Sequence, residues 1–293
     1  MKVLVLGAHG MLGHTLLRVV AEKQEWEIEG TARGEASVRF AGRSKAVPIL
    51  AFDAGKESEV ARLLAERKPD VVVNCIGVTK HRTTAEDPVL SCRINTIFPH
   101  LLAEEGRKTG TRVVHISSDC VFSGREGFYK EGDPMDALDI YGKSKSMGEL
   151  HDPHTITLRT SMIGHEMGTK FGLLEWFLSQ AGSCKGFSRA YFSGLPTVVL
   201  ARLIRDVVIP KHELAGVYHV AAERIDKYRL LKAIAKVYDK DIEIVEDREF
   251  QVDRSLDATR FAAATGYVAP SWPDLLMEMR EDYKSAMSDT DHA

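Results

Sequence analysis

The chain has 293 residues, 44% of them hydrophobic and 28% charged, and its formal net charge is −3. This length and composition exclude intrinsic disorder and suit one large α/β unit with a smaller companion. The slightly negative charge disfavours nucleic acid as a partner, and no apolar run reaches the roughly 18 residues that a membrane span needs. Four spaced cysteines without a CxxC pair, and a start without a signal-peptide pattern, predict a cytoplasmic protein with reduced thiols and no metal site.

The first half of the chain alternates between strand and helix patterns. Runs rich in Val, Ile and Leu predict strands over 2–7, 26–32, 46–50, 70–78, 112–117 and 155–160. Apolar residues at helical spacing predict helices over 11–23, 57–68, 88–108 and 140–150. This alternation predicts an α/β fold, a Rossmann-type doubly wound parallel sheet with helices on both faces.

The pattern loosens after residue 160. It predicts helices over 172–180, 196–209 and 227–238, a strand over 216–222, and only short mixed elements thereafter. We therefore expect a Rossmann-type NADP-binding domain of residues 1–160, to which 196–222 return. Residues 161–195 and 223–286 would form a smaller substrate-binding lobe, and residues 287–293 a tail.

A glycine turn follows the first predicted strand. In "GAHGMLG", Gly7, Gly10 and Gly13 permit a tight turn, close approach of a pyrophosphate and close packing of helix on strand. The N-terminus of the next helix offers free N–H groups to phosphates. The turn residues His9, Met11 and Leu12 are expected beside the same cofactor.

The second strand bears on the choice of cofactor. Its end reads "GTARGE", where Arg33, helped by Thr31, would bind a ribose 2′-phosphate, so NADPH is favoured and NADH is the alternative. Two other interpretations stay open: Arg33 is a solvated loop residue, or Glu29 or Glu35 lies nearer the ribose.

An aspartate after the third strand is a further candidate for the cofactor site. Asp53, in "LAFDAGK", would contact the adenine edge. The competing interpretation is an N-cap for the helix over 56–67.

Tyr141 and Lys145 in "YGKSK" are four residues apart, on one face of a predicted helix. A nearby ammonium favours phenolate, which would lower the tyrosine pKa and allow proton transfer near neutral pH. Upstream, Ser117 and Ser118 end the fifth strand, and ligands bind at the carboxyl ends of strands in such sheets. A hydroxyl, a tyrosine, a lysine and a phosphate-binding turn together indicate a reductase.

The chain resembles the extended short-chain dehydrogenases/reductases, and within them the dTDP-4-dehydrorhamnose reductase group. The matching stretches cover nearly the whole chain: GAHGMLG, VVNCIGVTK, INTIFPHLLAE, SSDCVFSGREGFYKEGD, YGKSKSMGE, LRTSMIG, GLPTVVLA and LDATRFAAATGY. The resemblance implies that Ser118 is the catalytic hydroxyl, Tyr141 the general acid and Lys145 its partner.

The resemblance also implies further site residues. Those near the cofactor are Asn74, Cys75, Ile76, Gly77, Asn95, Arg159 and Thr160. Those near the sugar are Thr79, Ser118, Cys120, Met162, Lys185, Pro196 and Thr197. For Asn74 and Asn95 the alternative is that they satisfy buried backbone groups.

Two positions depart from the reductase group. Cys120 stands where that group usually has tyrosine, and Met162 where it often has tryptophan. The identity of the sugar therefore stays open, and a UDP-linked 4-keto-6-deoxy-N-acetyl sugar competes with the rhamnose precursor. Cys120 also replaces the glutamate base of sugar-nucleotide dehydratases, which disfavours elimination. We expect His115 to pack within its strand rather than activate Cys120, and Asp119 to be structural.

Several polar residues beyond the strands are weaker candidates for substrate binding. They are His165, Glu166 and Lys170 in the loop after the sixth strand, Lys185 and Arg189 with aromatics in 175–194, and Arg254 and Arg260. For each, a solvated surface position is the competing interpretation. Trp176 is expected in the core.

The patterns indicate an NADPH-dependent reductase, and the resemblance implies that it reduces a nucleotide-linked 4-keto-6-deoxysugar to its 4-hydroxy form. The alternatives are an epimerase of the same superfamily with tightly held NAD, and a non-catalytic NADP-binding regulatory subunit. A homodimer is an expectation from the resemblance alone.

Overall fold

A computed structural model describes residues 1–34, 36–38, 46–79, 87–166 and 170–290. Glu35, one of the two alternative ribose ligands, lies outside these residues. In chain order the described strands are β1 Lys2–Leu6, β2 Glu27–Ala32, β3 Ala36–Val38, β4 Val47–Ala51, β5 Val71–Asn74, β6 Arg112–Ile116, β7 Thr155–Arg159, β8 Met162–Ile163, β9 Ser183–Phe192, β10 Leu195–Pro196, β11 Gly216–His219, β12 Ile225–Asp226 and β13 Glu243–Asp253.

The described helices also follow the predicted alternation through the first half. They are α1 Met11–Ala21, α2 Glu57–Arg67, α3 Pro88–Cys92, α4 Phe98–Thr109, α5 Ile140–Met147, α6 Leu173–Ser179, α7 Thr197–Leu203, α8 Lys227–Val237, α9 Thr259–Thr265 and α10 Trp272–Thr290. Wider π turns at Arg93–Ile97 and Ile204–Val208 continue α3 into α4 and extend α7. No described helix has the length and apolar character needed to cross a bilayer.

The main sheet has seven parallel strands in the order β11-β7-β6-β5-β1-β2-β4, with β3 antiparallel at the β4 edge. The strand order reverses beside β1, which pairs with β2 on one side and β5 on the other. A crevice at the carboxyl ends of the strands is the usual ligand site at such a reversal. The predicted doubly wound fold is therefore confirmed.

Side chains alternate along the central strands and supply two separate cores. Val3 and Val5 of β1 face the core that α1, α7, α8 and α10 cover, whereas Leu4 and Leu6 face the core that α2 and α4 cover. All four side chains are fully buried. Rows of buried Val and Leu on both faces explain why β1, β5 and β6 read as continuous apolar runs.

The second half departs from the sequence-based expectations in three places. A three-stranded sheet in the order β12-β9-β13 contains strands of 10 and 11 residues, and α10 has 19, so the expectation of short mixed elements is wrong. Trp176, expected in the core, is 37% exposed. Helix α10 extends to Thr290, inside the segment that the sequence marks as a tail.

Candidate functional site

The glycine turn joins β1 to α1 in a shape that requires glycine at two positions. Gly7 has a φ of +86°, in the left-handed region. A Cβ on Gly13 would lie 1.9 Å from the Gly7 carbonyl oxygen, so no side chain fits there. Gly10 N donates to that oxygen at 2.9 Å and is the N-cap of α1 without a side-chain cap. The first N–H groups of α1 are thus suited to a pyrophosphate.

The flanking turn residues differ in exposure. His9 and Gly10 are exposed and Met11 is half-buried, whereas Leu12 is buried in the core beneath the turn. Leu12 can therefore contribute its backbone to a cofactor site but not its side chain.

The end of β2 separates the candidate ribose ligands. Thr31 is fully buried, and its hydroxyl accepts a hydrogen bond from Gly7 N at 3.4 Å, so it supports the turn, while its part in binding a 2′-phosphate stays a prediction. Burial raises the pKa of Glu29, but hydrogen bonds and charges from Arg67 and Lys2 outweigh it, and the net pKa is lowered. Because Arg67 and Lys2 bind the Glu29 carboxylate, we do not expect Glu29 to bind a ribose hydroxyl. Arg33 is exposed and has no ion pair within the described residues.

Asp53 does not cap α2. Its Oδ1 accepts from Gly55 N at 2.9 Å, and the N-cap of α2 is Lys56, which has no side-chain cap bond. The N-cap interpretation is wrong because this carboxylate closes a turn two residues on. Asp53 is exposed after β4, and its contact with adenine stays a prediction.

Two buried asparagines organise the loop after β5. Asn74 Oδ1 accepts from Ile76 N at 3.0 Å. Asn95 Oδ1 accepts from Val78 N at 2.9 Å, while its Nδ2 donates to Ser144 Oγ at 3.1 Å, which connects the loop to α5. Both satisfy buried backbone, which was the alternative interpretation.

The rest of this loop lies between the glycine turn and the catalytic candidates. Cys75 and Ile76 lie beside Gly7, whereas Gly77 and Thr79 are exposed at the surface. Burial raises the pKa of the Cys75 thiol to about 12.

Ser118, Tyr141 and Lys145 converge beyond the carboxyl end of β6. The Ser118 hydroxyl donates to Asp119 Oδ1 at 3.2 Å and accepts from Cys120 N at 3.1 Å, and it is close enough to Tyr141 to influence the pKa of that phenol. Lys145 is 4% exposed, and its Nζ donates to the Ile116 carbonyl at 2.7 Å. The adjacent Ser117 hydroxyl instead donates to Glu149, so only Ser118 faces the tyrosine.

The pKa values at this centre follow from its burial. Burial, with the charges of Cys120 and Asp119, raises the pKa of Tyr141, although the interaction with Ser118 opposes the rise. Burial also lowers the pKa of Lys145 to about 8. The expected lowering of the tyrosine pKa is therefore absent, because desolvation and the nearby acidic groups outweigh the interaction with Ser118. A raised pKa keeps Tyr141 protonated, as a proton donor requires.

Asp119 and Cys120 line the same centre. Burial raises the pKa of Asp119, while the charge of Arg254 opposes that rise. Arg254 Nε donates to the Phe122 carbonyl at 2.8 Å, which holds this cation beside the catalytic candidates. Cys120 is half-buried next to Ser118.

The Arg159 guanidinium is bound by protein groups. It is 2% exposed and forms a buried ion pair with Glu149 at 2.7 Å, and its Nη1 donates to the Glu131 carbonyl at 3.2 Å. These protein groups occupy the guanidinium, and the position of Arg159 beside the cofactor stays a prediction. Thr160 next to it is also buried, and its hydroxyl donates to the Ser161 carbonyl.

The predicted sugar-side residues other than Thr79, Ser118 and Cys120 lie in two places. Met162 of β8 pairs in register with Leu195, next to Pro196 and Thr197, so these segments form one small sheet and the start of α7. Lys185 is exposed on β9 and paired with Asp247 at 2.9 Å. Nothing in the contacts of Lys185 connects it with Ser118.

Three of the weaker polar candidates, His165, Glu166 and Arg260, also have protein partners. His165 Nδ1 lies 2.6 Å from Glu175 Oε1 and its Nε2 lies 2.9 Å from the Tyr238 hydroxyl. Glu166 accepts from Gly172 N at 2.8 Å, and Arg260 covers the Tyr218 ring at 4.6 Å. Lys170 is exposed. Within the described ranges no group of three His, Cys, Asp or Glu side chains could hold a metal.

A cationic cavity of about 540 Å³ lies between β9, β12 and the start of α8. Its lining includes Arg189, Arg224, Arg229, Arg248, Tyr191 and Tyr228. The Arg224 guanidinium lies between the Phe128 and Tyr191 rings, at 4.5 and 4.2 Å, and pairs with Asp253.

Sequence reasoning named Arg189 as a candidate phosphate ligand but missed the other lining arginines, Arg224, Arg229 and Arg248. Strand alternation over 183–192 would have placed Arg189 and Tyr191 on one face. Asp253 pairs with Arg224 of the cavity, and the next residue, Arg254, lies near Asp119 of the catalytic centre. One short segment therefore contacts both places.

Comparison with known proteins shows a family model and several curated proteins that are similar to this chain. The model of the RmlD substrate binding domain matches residues 1–284. A dTDP-4-dehydrorhamnose reductase of Aggregatibacter actinomycetemcomitans is 25% identical over 232 residues, 76% of this chain and 74% of that one. The methionine adenosyltransferase 2 subunit beta of Xenopus tropicalis is 28% identical over 258 residues, 81% of this chain and 72% of that one.

A solved structure agrees with the fold. The dTDP-4-dehydrorhamnose reductase of Bacillus anthracis, in complex with NADP, has a TM-score of 0.80 and 20% identity, covering 96% of this chain and 99% of that one. The match to the family model spans both the glycine turn and the Ser118–Tyr141–Lys145 centre. The resemblance found in the sequence is therefore confirmed, and the chain belongs to the RmlD substrate binding domain family.

Proposed function

We propose that the protein is an NADPH-dependent oxidoreductase that reduces a nucleotide-linked 4-keto-6-deoxysugar to the 4-hydroxy sugar. One observation carries the proposal: Ser118, Tyr141 and Lys145 meet at the carboxyl end of β6. That end lies on the same edge of the parallel sheet as the glycine turn after β1.

The chain's own residues have distinct tasks in this reaction. The bound dihydronicotinamide supplies a hydride to C4 of the sugar. Tyr141 donates its proton to the oxygen that becomes negative, and its raised pKa keeps that proton in place beforehand. Ser118 hydrogen-bonds the same oxygen and positions the carbonyl. Lys145 provides a positive charge beside the tyrosine when it is protonated.

Cofactor choice rests on the turn and on Arg33. The absence of space for a Cβ at Gly13 fits a turn that a pyrophosphate approaches closely. Arg33 is exposed at the end of β2, where its guanidinium is available to a 2′-phosphate, whereas the Glu29 carboxylate is bound by Arg67. This favours NADPH over NADH, whose ribose carries a 2′-hydroxyl. The NADP in the Bacillus anthracis relative supports the same choice, with NADH as the alternative.

We infer the substrate class from the names of relatives and from the cationic cavity between β9, β12 and α8. Two tyrosines and Arg189 suit a nucleoside diphosphate, because aromatic rings stack on a base and guanidinium groups bind phosphates. The other three lining arginines, Arg224, Arg229 and Arg248, pair with Asp253, Asp226 and Glu246, so they would serve a phosphate only with their remaining N–H groups. The reductase name of the Aggregatibacter relative points to a dTDP-4-keto sugar. Cys120 and Met162 differ from the usual residues of that group, so a UDP-linked N-acetyl sugar competes.

We also propose the two-part organisation inferred from the sequence. Residues 1–160 and 196–222 would hold the cofactor and residues 161–195 and 223–286 the substrate, in a cytoplasmic enzyme.

A homodimer is a further proposal. Exposed apolar side chains on α3, the π turn and α5, namely Val89, Ile97 and Ile140, favour a dimer through these helices. Analytical ultracentrifugation would test the dimer.

The deciding experiment measures NADPH oxidation with a panel of dTDP-, UDP- and GDP-linked 4-keto sugars. Turnover that Tyr141→Phe removes, while NADPH still binds, supports the proposal. Cofactor binding without turnover of any sugar, together with a stable partner enzyme, would indicate a regulatory subunit, for which the Xenopus relative is the precedent in name. NAD that copurifies and does not exchange would indicate an epimerase.

A further inference from the structure

A buried histidine lies directly behind the catalytic lysine. His115 and Asn74 are register partners on the neighbouring strands β6 and β5, and both are fully buried. Asn74 Nδ2 lies 3.1 Å from His115 Nδ1. Because Asn74 Oδ1 already accepts from Ile76 N, the amide must donate to the imidazole, and Nδ1 must accept.

The other ring nitrogen faces the lysine. His115 Nε2 lies 3.5 Å from Lys145 Nζ. Burial, followed by the charges of Lys145 and His100, lowers the pKa of His115 well below its ordinary value, so the ring is neutral and carries one N–H. With Nδ1 as acceptor, that hydrogen is on Nε2 and points at Nζ.

This orientation distinguishes the two forms of the lysine. An ammonium has only donors, so it repels the Nε2–H, whereas a neutral amine can accept that hydrogen. The Ile116 carbonyl accepts from Nζ at 2.7 Å and holds it in place. The other titratable groups around Nζ are Glu149 and Cys75, whose charges favour the ammonium, and Tyr141 on the same helix.

We propose that His115, oriented by Asn74, is a positioning residue that disfavours the charged form of Lys145 and thereby sets the upper pH limit of the reaction. The reactive groups are Ser118, Tyr141 and Lys145, and His115 acts only through the lysine. The effect on turnover rests on the proposed function, but the effect on the lysine does not.

The test follows the Lys145 amine directly. Protein labelled with [ζ-¹⁵N]lysine is titrated by NMR, and the Lys145 signal is identified by its loss in Lys145→Arg. His115→Phe removes the Nε2–H and keeps the site filled. We expect the midpoint, about 8 in the wild type, to rise. The rise should be about half to one pH unit, the equivalent of one hydrogen-bond contact.

Two further variants separate this effect from general loosening. His115→Asn also removes the Nε2–H but keeps an acceptor for Asn74, so it should raise the midpoint too and serves if His115→Phe does not fold. Val114→Ala loosens the same strand on its opposite face and should leave the midpoint unchanged.

Activity provides a second readout. The basic limb of kcat/KM should move to higher pH in the His115 variants and stay in place in Val114→Ala. Unchanged lysine midpoints in the folded His115 variants overturn the proposal. A wild type that reduces no 4-keto sugar refutes the proposed function instead, and the NMR midpoints still decide the role of His115.

Discussion

Ser117 and Ser118 are adjacent, yet their hydroxyls serve different purposes. Ser117 Oγ donates to the buried Glu149 carboxylate at 2.7 Å, whereas Ser118 Oγ lies with Asp119, Cys120 N and Tyr141. The strand β6 ends at Ile116, and in the extended backbone that follows it the first side chain points towards Glu149 and the second towards Tyr141.

This division predicts opposite outcomes for two alanine variants. Ser118→Ala should reduce kcat by about 10²- to 10³-fold, as for loss of one oxyanion donor, with NADPH binding retained. Ser117→Ala should keep most activity but destabilise the fold by about 1–3 kcal/mol, because Glu149 loses a buried donor. Steady-state kinetics and urea unfolding of both variants distinguish the two roles. Equal effects on activity would contradict the assignment.

Arg33 should determine the preference for NADPH. Arg33→Ala removes a charge-assisted contact with the 2′-phosphate, which is worth about 1.5–3 kcal/mol, or roughly 10- to 100-fold in affinity. We expect the KM for NADPH to rise by that factor while the KM for NADH stays near its original value. Arg107→Ala, at another exposed arginine, on α4, is the matched control and should change neither. A proportional rise for both cofactors would refute the 2′-phosphate contact.

The buried pair of Arg159 and Glu149 should dominate the stability of this edge of the sheet. Arg159→Met leaves the carboxylate buried without its cation and should cost about 3–5 kcal/mol of unfolding free energy. The exposed Lys185 pairs with Asp247, and Lys185→Met should cost less than about 1 kcal/mol. Urea unfolding measures both. Similar losses in the two variants would contradict the structural role of Arg159.

The lowered pKa of Lys145 should appear in the pH dependence of stability. Its folded pKa of about 8 lies below that of an unfolded lysine, so burial of the charge opposes folding at pH values below 8. That cost disappears as the pH rises towards about 10.4, the unfolded value.

Lys145→Met should therefore be more stable than the wild type at pH 7, and its advantage should shrink by about 2–3 kcal/mol by pH 10. Urea unfolding at both pH values gives the difference, in which other titrating groups cancel. An advantage that stays constant with pH would mean that the lysine is not desolvated.

Local patterns were sufficient to predict the glycine turn, the Tyr141–Lys145 pair and the parallel sheet. Each depends on spacing within a few residues: apolar runs in β1, β5 and β6, and a four-residue interval on α5. The strand β13 was missed because its exposed face is charged, and α10 because its buried residues Leu275, Leu276 and Met279 lie in a polar sequence.

Several contacts at the site join segments that no local pattern connects. Thr31 and Arg159 are residue types that a cofactor needs, and the structure also pairs them with Gly7 and Glu149. Nothing near either residue in sequence reveals those partners. Asn74 and His115 lie side by side because of the register of β5 and β6. A prediction of their contact would need both the order of the strands and that register.

The most direct test of the central claim follows the hydride itself. The protein is supplied with NADPH deuterated at both C4 positions and with the 4-keto sugar that it consumes, and the product is examined by NMR. Reduction predicts one deuterium at C4 of the sugar for each NADPH oxidised, and no transfer by Tyr141→Phe. Sugar conversion without deuterium at C4 would contradict the proposed reaction.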